Sequence, residues 1–314
     1  MSQKRVALLF SGQGAQSVGM GRELALRYPQ AAAVFQKADE VLGYSLSQLA
    51  WEGPEEDLTQ TCHCQPALFV HGLACLAVLR ALAGDFLVHA CAGLSLGEFT
   101  AHVAAGTFGF EDGLRLVAQR GRLMQEACDA VAGGMAAMIG GEESAVIQLA
   151  HDCGVDVANF NSPGQIVLSG PKAQVEQAVA LAKERGIRMA RSLNVAGAYH
   201  SRLMQPAADA LGNALAAVPM VAPGTLVVCN VTADSVGTPD QVRATLKEQV
   251  TGSVRWTQSM ERLVDVEGCS LFLELGPGGV LAGLLGRTRK GVPCVSVSDP
   301  ASVDAALAAL ATAN

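Results

Sequence analysis

No dense stripe of lysine and arginine runs through these 314 residues, and the 22 Lys and Arg fall short of the 29 Asp and Glu, for a formal net charge of −7. Nothing is arranged to neutralise a run of phosphates, so nucleic-acid binding is excluded as the main function. Long apolar runs are missing too. Behind Met1-Ser2-Gln3-Lys4-Arg5 the stretch Val6–Phe10 is too short for a signal h-region, and no later run reaches the length a bilayer requires. A cytosolic protein with no membrane partner is expected. The nine cysteines are odd in number and lack a framework spacing, which suits a reducing compartment rather than disulfides. Cys62-His63-Cys64 sets its ligands too close together for a zinc knuckle, and no second Cys/His pair follows, so no metal is expected. Low-complexity sequence is confined to the Ala-rich helix Ser302–Thr312, which reads as scaffold.

Half of the chain is apolar, enough to bury a large core. Short β-type runs (Val6–Phe10, Phe86–Ala92, Leu226–Cys229, Leu271–Leu275, Cys294–Val297) alternate with longer helical patterns, which predicts an α/β fold with a largely parallel sheet. One stretch breaks the rhythm. Strand Met135–Ile139, helix Glu142–Cys153, a hairpin of Val155–Asn159 with Gln165–Ser169, helix Ala173–Arg185 and strand Arg188–Val195 give a βαββαβ order. The prediction is an α/β-hydrolase-like large domain, residues 1–128 and 199–314, carrying a ferredoxin-like subdomain at 129–198.

Gly93-Leu94-Ser95-Leu96-Gly97 follows the second of those strands and leads into a helix placed at about Glu98–Ala105. Small residues on both sides allow the sharp strand-to-helix turn that exposes a nucleophilic serine, which makes Ser95 the candidate nucleophile. The Leu96 N–H at the start of the helix would face the charge that develops on an attacked carbonyl. A serine needs a base, and of six histidines His200 stands apart, because it lies where the chain returns from the inserted unit and a cleft should form. Arg120 falls on the apolar stripe Leu116, Val117, Leu123, Met124 of the helix Glu111–Cys128. A guanidinium there either pairs with an internal carboxylate or grips a substrate carboxylate. The loop Ser11-Gly12-Gln13-Gly14-Ala15-Gln16 imitates a dinucleotide fingerprint, but position 17 is serine where the third glycine belongs. The loop can instead supply the Gln13 N–H as a second oxyanion donor.

Together with Gln119-Arg120-Gly121, Val157–Gln165, Ala198-Tyr199-His200-Ser201, Val254-Arg255-Trp256 and Glu274–Gly278, these segments run in an order that resembles the malonyl-CoA:acyl-carrier-protein transacylases of bacterial fatty-acid synthesis, over nearly the whole chain. The resemblance implies that Ser95 takes malonyl from malonyl-CoA and passes it to the phosphopantetheine thiol of holo-acyl carrier protein, in a ping-pong reaction without a cofactor. It assigns His200 as base then acid, Arg120 as carboxylate clamp, Gln13 and Leu96 as the oxyanion hole, and the Gln249 main-chain carbonyl as the group that orients His200. Asn159 and Tyr199 fall at substrate-binding positions, Tyr199 either as a gate against an α-methyl group or as wall packing. Many relatives carry histidine where this chain has Leu94. The family is usually monomeric. Two basic groups could meet an acidic carrier protein: Lys183, Arg185, Arg188 and Arg191, or Arg287, Arg289 and Lys290. The competing readings are malonyl loading for a malonate decarboxylase or polyketide system, a serine thioesterase or hydrolase, and a degenerate carrier-binding module.

Overall fold

The structure, a computed structural model, describes residues 4–84 and 86–312, so the extreme ends of the expected large domain, 1–3 and 313–314, lie outside the described residues. Its strands are β1 (Val6–Phe10), β2 (Val88–Gly93), β3 (Gly133–Ile139), β4 (Asp156–Ser162), β5 (Gln165–Pro171), β6 (Met189–Ser192), β7 (Leu226–Val228), β8 (Leu271–Leu275) and β9 (Cys294–Val297). The first sheet has the order β7-β2-β1-β8-β9, with every pair parallel. Its central strands β1 and β8 are buried along their whole length, which is why they read as unbroken apolar runs. Crossing helices cover both faces.

Apolar runs bounded by turns set the limits of β1, β8 and β9 where the sequence predicts them. Strand β2 begins two residues later than the apolar run, because Leu87 is 62% exposed and outside the sheet. Composition misleads at one helix. Thr61–Ala83 is long and apolar enough to cross a membrane, with a mean hydropathy of 1.8 over its most apolar window, so the expectation that no run reaches that length is corrected. The helix is apolar all round because 72% of that window is buried inside the protein, where it packs on the helices Phe110–Ala130 and Pro29–Leu42.

The second sheet is antiparallel with the order β4-β5-β3-β6, the arrangement of a ferredoxin-like βαββαβ unit. Helices Glu143–Cys153 and Lys172–Leu181 bury its apolar face around Met138, Leu149, Leu168 and Ala178. Backbone hydrogen bonds from Phe160 N–H to the Val254 carbonyl and from Val254 N–H to the Ala158 carbonyl, both 2.8 Å, stitch β4 to the segment between β7 and β8 of the parallel sheet. Asn159, expected at the substrate, is the β4 residue bridged to Val254.

Candidate active site

Ser95 sits at the C-terminal end of β2, in the crevice where ligands of parallel sheets bind. Its backbone is left-handed at φ 55° and ψ −109°, and the helix begins at the very next residue, spanning Leu96–Ala104 rather than starting near Glu98. So tight a turn requires its glycines. A Cβ on Gly93 would lie 1.9 Å from the Gly97 carbonyl carbon, and one on Gly97 would lie 2.2 Å from the Phe10 carbonyl oxygen. The strain of about 1–3 kcal/mol in such a residue persists only where the surroundings hold it. Here Asn230 does so: its Oδ1 accepts from the Ser95 N–H at 2.7 Å and its Nδ2 donates to the Gly93 carbonyl at 2.8 Å.

The Ser95 hydroxyl donates to His200 Nε2 at 2.8 Å. His200 Nδ1–H donates in turn to the main-chain carbonyl of Gln249 at 2.8 Å, with Gly252 at 3.2 Å, and this fixes the tautomer that leaves Nε2 as the acceptor. Among the described residues no carboxylate completes a triad. Burial, and then the Arg120 charge, lower the His200 pKa from 6.5 to about 4, against the opposing pull of the two carbonyls. The imidazole is therefore neutral, and able to accept a proton, down to about that pH. Ser95 acylation should hold its plateau to about pH 5 and decline as pH falls through about 4. A rate profile with its acid limb near 6.5 would contradict this.

Arg120 is 1% exposed and reaches Ser95 from the Phe110–Ala130 helix. Nη2 donates to Ser95 Oγ and to Gln249 Oε1, each at 2.9 Å, and Nη1 donates to Gln65 Oε1 at 2.7 Å. Nε has no partner. Burial lowers its pKa to about 10, which leaves it cationic, and among the described residues no carboxylate forms an ion pair with it. Of the two sequence readings, a direct internal ion pair is thus ruled out. A buried cation with unspent donors beside a nucleophile is a ready receptor for a carboxylate.

The Leu96 N–H opens its helix and has no carbonyl a turn earlier to bond, and neither it nor the Gln13 N–H is taken up by an acceptor among the described residues. The Gln13 side chain donates to Tyr199 Oη at 3.3 Å, and Tyr199 Oη shares a hydrogen with Thr61 Oγ1 at 2.6 Å. Tyr199 is thereby a fixed, 7% exposed wall beside His200. Asn159 is buried, but no side-chain hydrogen bond joins it to Ser95, His200 or Arg120 among the described residues.

Sequence reasoning missed Gln65, Glu98 and Asn230, and saw only the carbonyl of Gln249. The Gln249 amide Nε2 donates to Glu98 Oε2 at 2.7 Å and to the Ser95 carbonyl at 2.8 Å. Glu98 is wholly buried, and that burial, countered by Gln249, Asn230 and Arg120, raises its pKa to about 7. The only signal in the sequence was a carboxylate in the first turn of an apolar helix.

With this geometry on view, the sequence matches the acyl transferase domain family over residues 7–303. The chain belongs to that family. The malonyl CoA-acyl carrier protein transacylase of Bacillus subtilis is 40% identical over 317 residues, covering 99% of this chain and 98% of the relative. Among solved structures, the malonyl-CoA:acyl carrier protein transacylase of Xanthomonas oryzae superposes with a TM-score of 0.93 at 41% identity, covering 98% and 99% of the two chains. A malonyl-transacylase in complex with its type II polyketide acyl-carrier protein gives 0.93 at 37% identity, over 97% and 99%. Like these, the acyltransferase described here is matched along essentially its full length.

Proposed function

We infer that this acyltransferase moves malonyl from malonyl-CoA to the phosphopantetheine thiol of holo-acyl carrier protein, for fatty-acid synthesis, by way of a malonyl ester on Ser95. The observation that carries the reading is Arg120: a serine nucleophile and a buried unpaired guanidinium share a hydrogen bond, so the substrate must offer a reactive acyl carbon and an anion a few atoms apart.

His200 Nε2 takes the Ser95 proton as Oγ attacks the thioester carbonyl, and the oxyanion falls to the N–H groups of Leu96 and Gln13. Each such donor is worth about 3 kcal/mol in the barrier. The imidazolium then gives its proton to the departing CoA sulfur. In the second half His200 takes the proton of the carrier thiol, the thiolate attacks the ester, and Ser95 leaves with that proton. No step calls for a cofactor. Arg120 also tunes the base: a malonyl carboxylate neutralises one cause of the low His200 pKa, so the correct substrate raises the basicity that attacks it. A hydrolase has no use for such a clamp.

Intact mass after brief exposure to malonyl-, methylmalonyl- or acetyl-CoA, followed by a chase with holo-carrier protein, tests the reading. A malonyl adduct that moves to the carrier is expected, with little methylmalonyl adduct if the pinned Tyr199 ring excludes an α-methyl group. Loss of the adduct to water alone would mean a hydrolase. The likeness to a transacylase that serves a polyketide carrier favours a second reading, in which the same transfer feeds polyketide assembly; turnover compared between the two carrier types decides it.

The carrier's acidic surface has a receptor where the two basic groups of the sequence meet. Arg188 and Arg287 line one cleft of about 710 Å³ with the Gly140-Gly141 and Pro163-Gly164 turns, and Arg287 Nη1 donates to Gln165 Oε1 at 2.8 Å. Arg185 and Arg289 are instead paired with Asp152 and Asp265. Arg287→Glu combined with Arg188→Glu should raise the KM for carrier at least tenfold while Ser95 still loads from malonyl-CoA; equal effects on both half-reactions would remove the assignment. We further infer a cytoplasmic protein, which nine unpaired cysteines support, and, from the family resemblance alone, a monomer.

A further inference from the structure

The transfer chemistry leaves several buried ionisable groups without a task, and Glu98 is the one tied to the residues that hold Ser95. Glu98 has no accessible surface, and a carboxylate in such a place is costly unless it is tied down. Among the described residues both of its hydrogen bonds fall on one oxygen: the Asn230 N–H donates to Oε2 at 3.0 Å and Gln249 Nε2 donates to it at 2.7 Å, while Oε1 has no partner there.

Each of those two donors goes on to hold reacting groups. Asn230 spans the strained turn through the Ser95 N–H and the Gly93 carbonyl. Gln249 accepts from Arg120 through its side-chain oxygen, donates to the Ser95 carbonyl through its nitrogen, and holds His200 through its main-chain oxygen. A glutamine amide can face either way, but only one way works here. With Nε2 toward Glu98, its oxygen meets the guanidinium; reversed, two donors would face each other and two acceptors would face each other. Arg120 only donates and the Ser95 carbonyl only accepts, so these two set the direction, and Glu98 Oε2 accepts from the amide nitrogen that results.

Resting on the malonyl transfer inferred above, we propose that Glu98 is the positioning residue of this site and the resident counter-charge of Arg120, polarising Gln249 so that the guanidinium is aimed at the acyl pocket and competing with the substrate carboxylate for that one cation. Both roles come from one geometry and separate on substitution. Glu98→Gln keeps an oxygen for Asn230 and Gln249 but removes the charge. Glu98→Ala removes the anchor itself.

The test measures, at a pH well above the Glu98 pKa of about 7 so that the carboxyl is ionised, kcat and KM for Ser95 loading by malonyl-CoA and by acetyl-CoA in wild type, E98Q and E98A. E98A should lower kcat at least tenfold with both thioesters, because Asn230 and Gln249 lose their common acceptor. E98Q should restore kcat to within a few fold of wild type and lower the KM for malonyl-CoA about threefold, with no fall in the KM for acetyl-CoA, which brings no carboxylate to compete. If thermal melting finds E98A unfolded, the malonyl-to-acetyl KM split of E98Q decides alone. Wild-type values in both variants, or a KM change in E98Q that is equal for the two thioesters, would overturn the role of Glu98. A wild type that takes up no malonyl would overturn the transfer reaction instead, and the two failures are read from different proteins.

Discussion

Ser95→Ala takes up no mass from malonyl-CoA and transfers malonyl to carrier protein at least about 10⁴-fold more slowly than wild type. The size follows from the route. Without Oγ there is no covalent ester, and direct transfer between two thiols would need CoA and the carrier arm in the crevice together. The fold should survive, because the change removes only a hydroxyl whose partners are functional: His200 Nε2 and Arg120 Nη2. The Asn230 clamp on the turn is made to the backbone of residue 95 and is unaffected. Intact mass together with a melting curve separates lost chemistry from lost structure; an adduct that persists in the folded variant would place the nucleophile elsewhere.

Arg120→Ala loses malonyl loading by about 30- to 3,000-fold, the range expected when one side of a buried charged contact worth about 2–5 kcal/mol is removed. Acetyl loading should fall far less, so the malonyl-to-acetyl preference collapses before activity vanishes. Two further signs distinguish a clamp from a mere packing loss. The acid limb of the residual activity should move upward from about 4, because the Arg120 charge is one cause of the low His200 pKa, yet stop short of 6.5, because burial is the larger cause. Arg120→Lys should recover little, since an ammonium cannot hold Gln65, Gln249 and a substrate oxygen in the plane of a fork. An unchanged malonyl-to-acetyl ratio in Arg120→Ala would end the clamp assignment.

Selectivity and catalysis are thus hard to separate in this site. One guanidinium touches the nucleophile, lowers the basicity of the histidine and waits for the substrate's anion. A thioester without a carboxylate meets a weaker base and an unsatisfied cation, whereas malonyl relieves both.

Much of this was local enough to read along the chain. The parallel strands β1 and β8 are written as apolar runs because both of their faces are covered, and the elbow is written as Gly93 and Gly97 because no Cβ fits there. Arg120 betrayed itself as a charge on an apolar stripe, and the βαββαβ insertion as a change of rhythm. These signals have periods of two to four residues, within reach of sequence reasoning.

What joins Ser95 to the rest has no such period. Asn230 lies 135 residues from the serine it clamps, Gln249 lies 151 from Glu98, and Gln65 lies 55 from Arg120. Each is an ordinary polar residue in its own segment, and becomes a hydrogen-bond partner only because the parallel sheet brings the ends of β2 and β7 side by side and the helices close over them. Burial then does what sequence cannot express. It removes the water that would hold a histidine near 6.5 and a glutamate near 4.5, and leaves a neutral imidazole, an elevated Glu98 and a guanidinium with donors to spare. The residue types were fixed by the chain; their ionisation and mutual aim were decided by the interior that surrounds them.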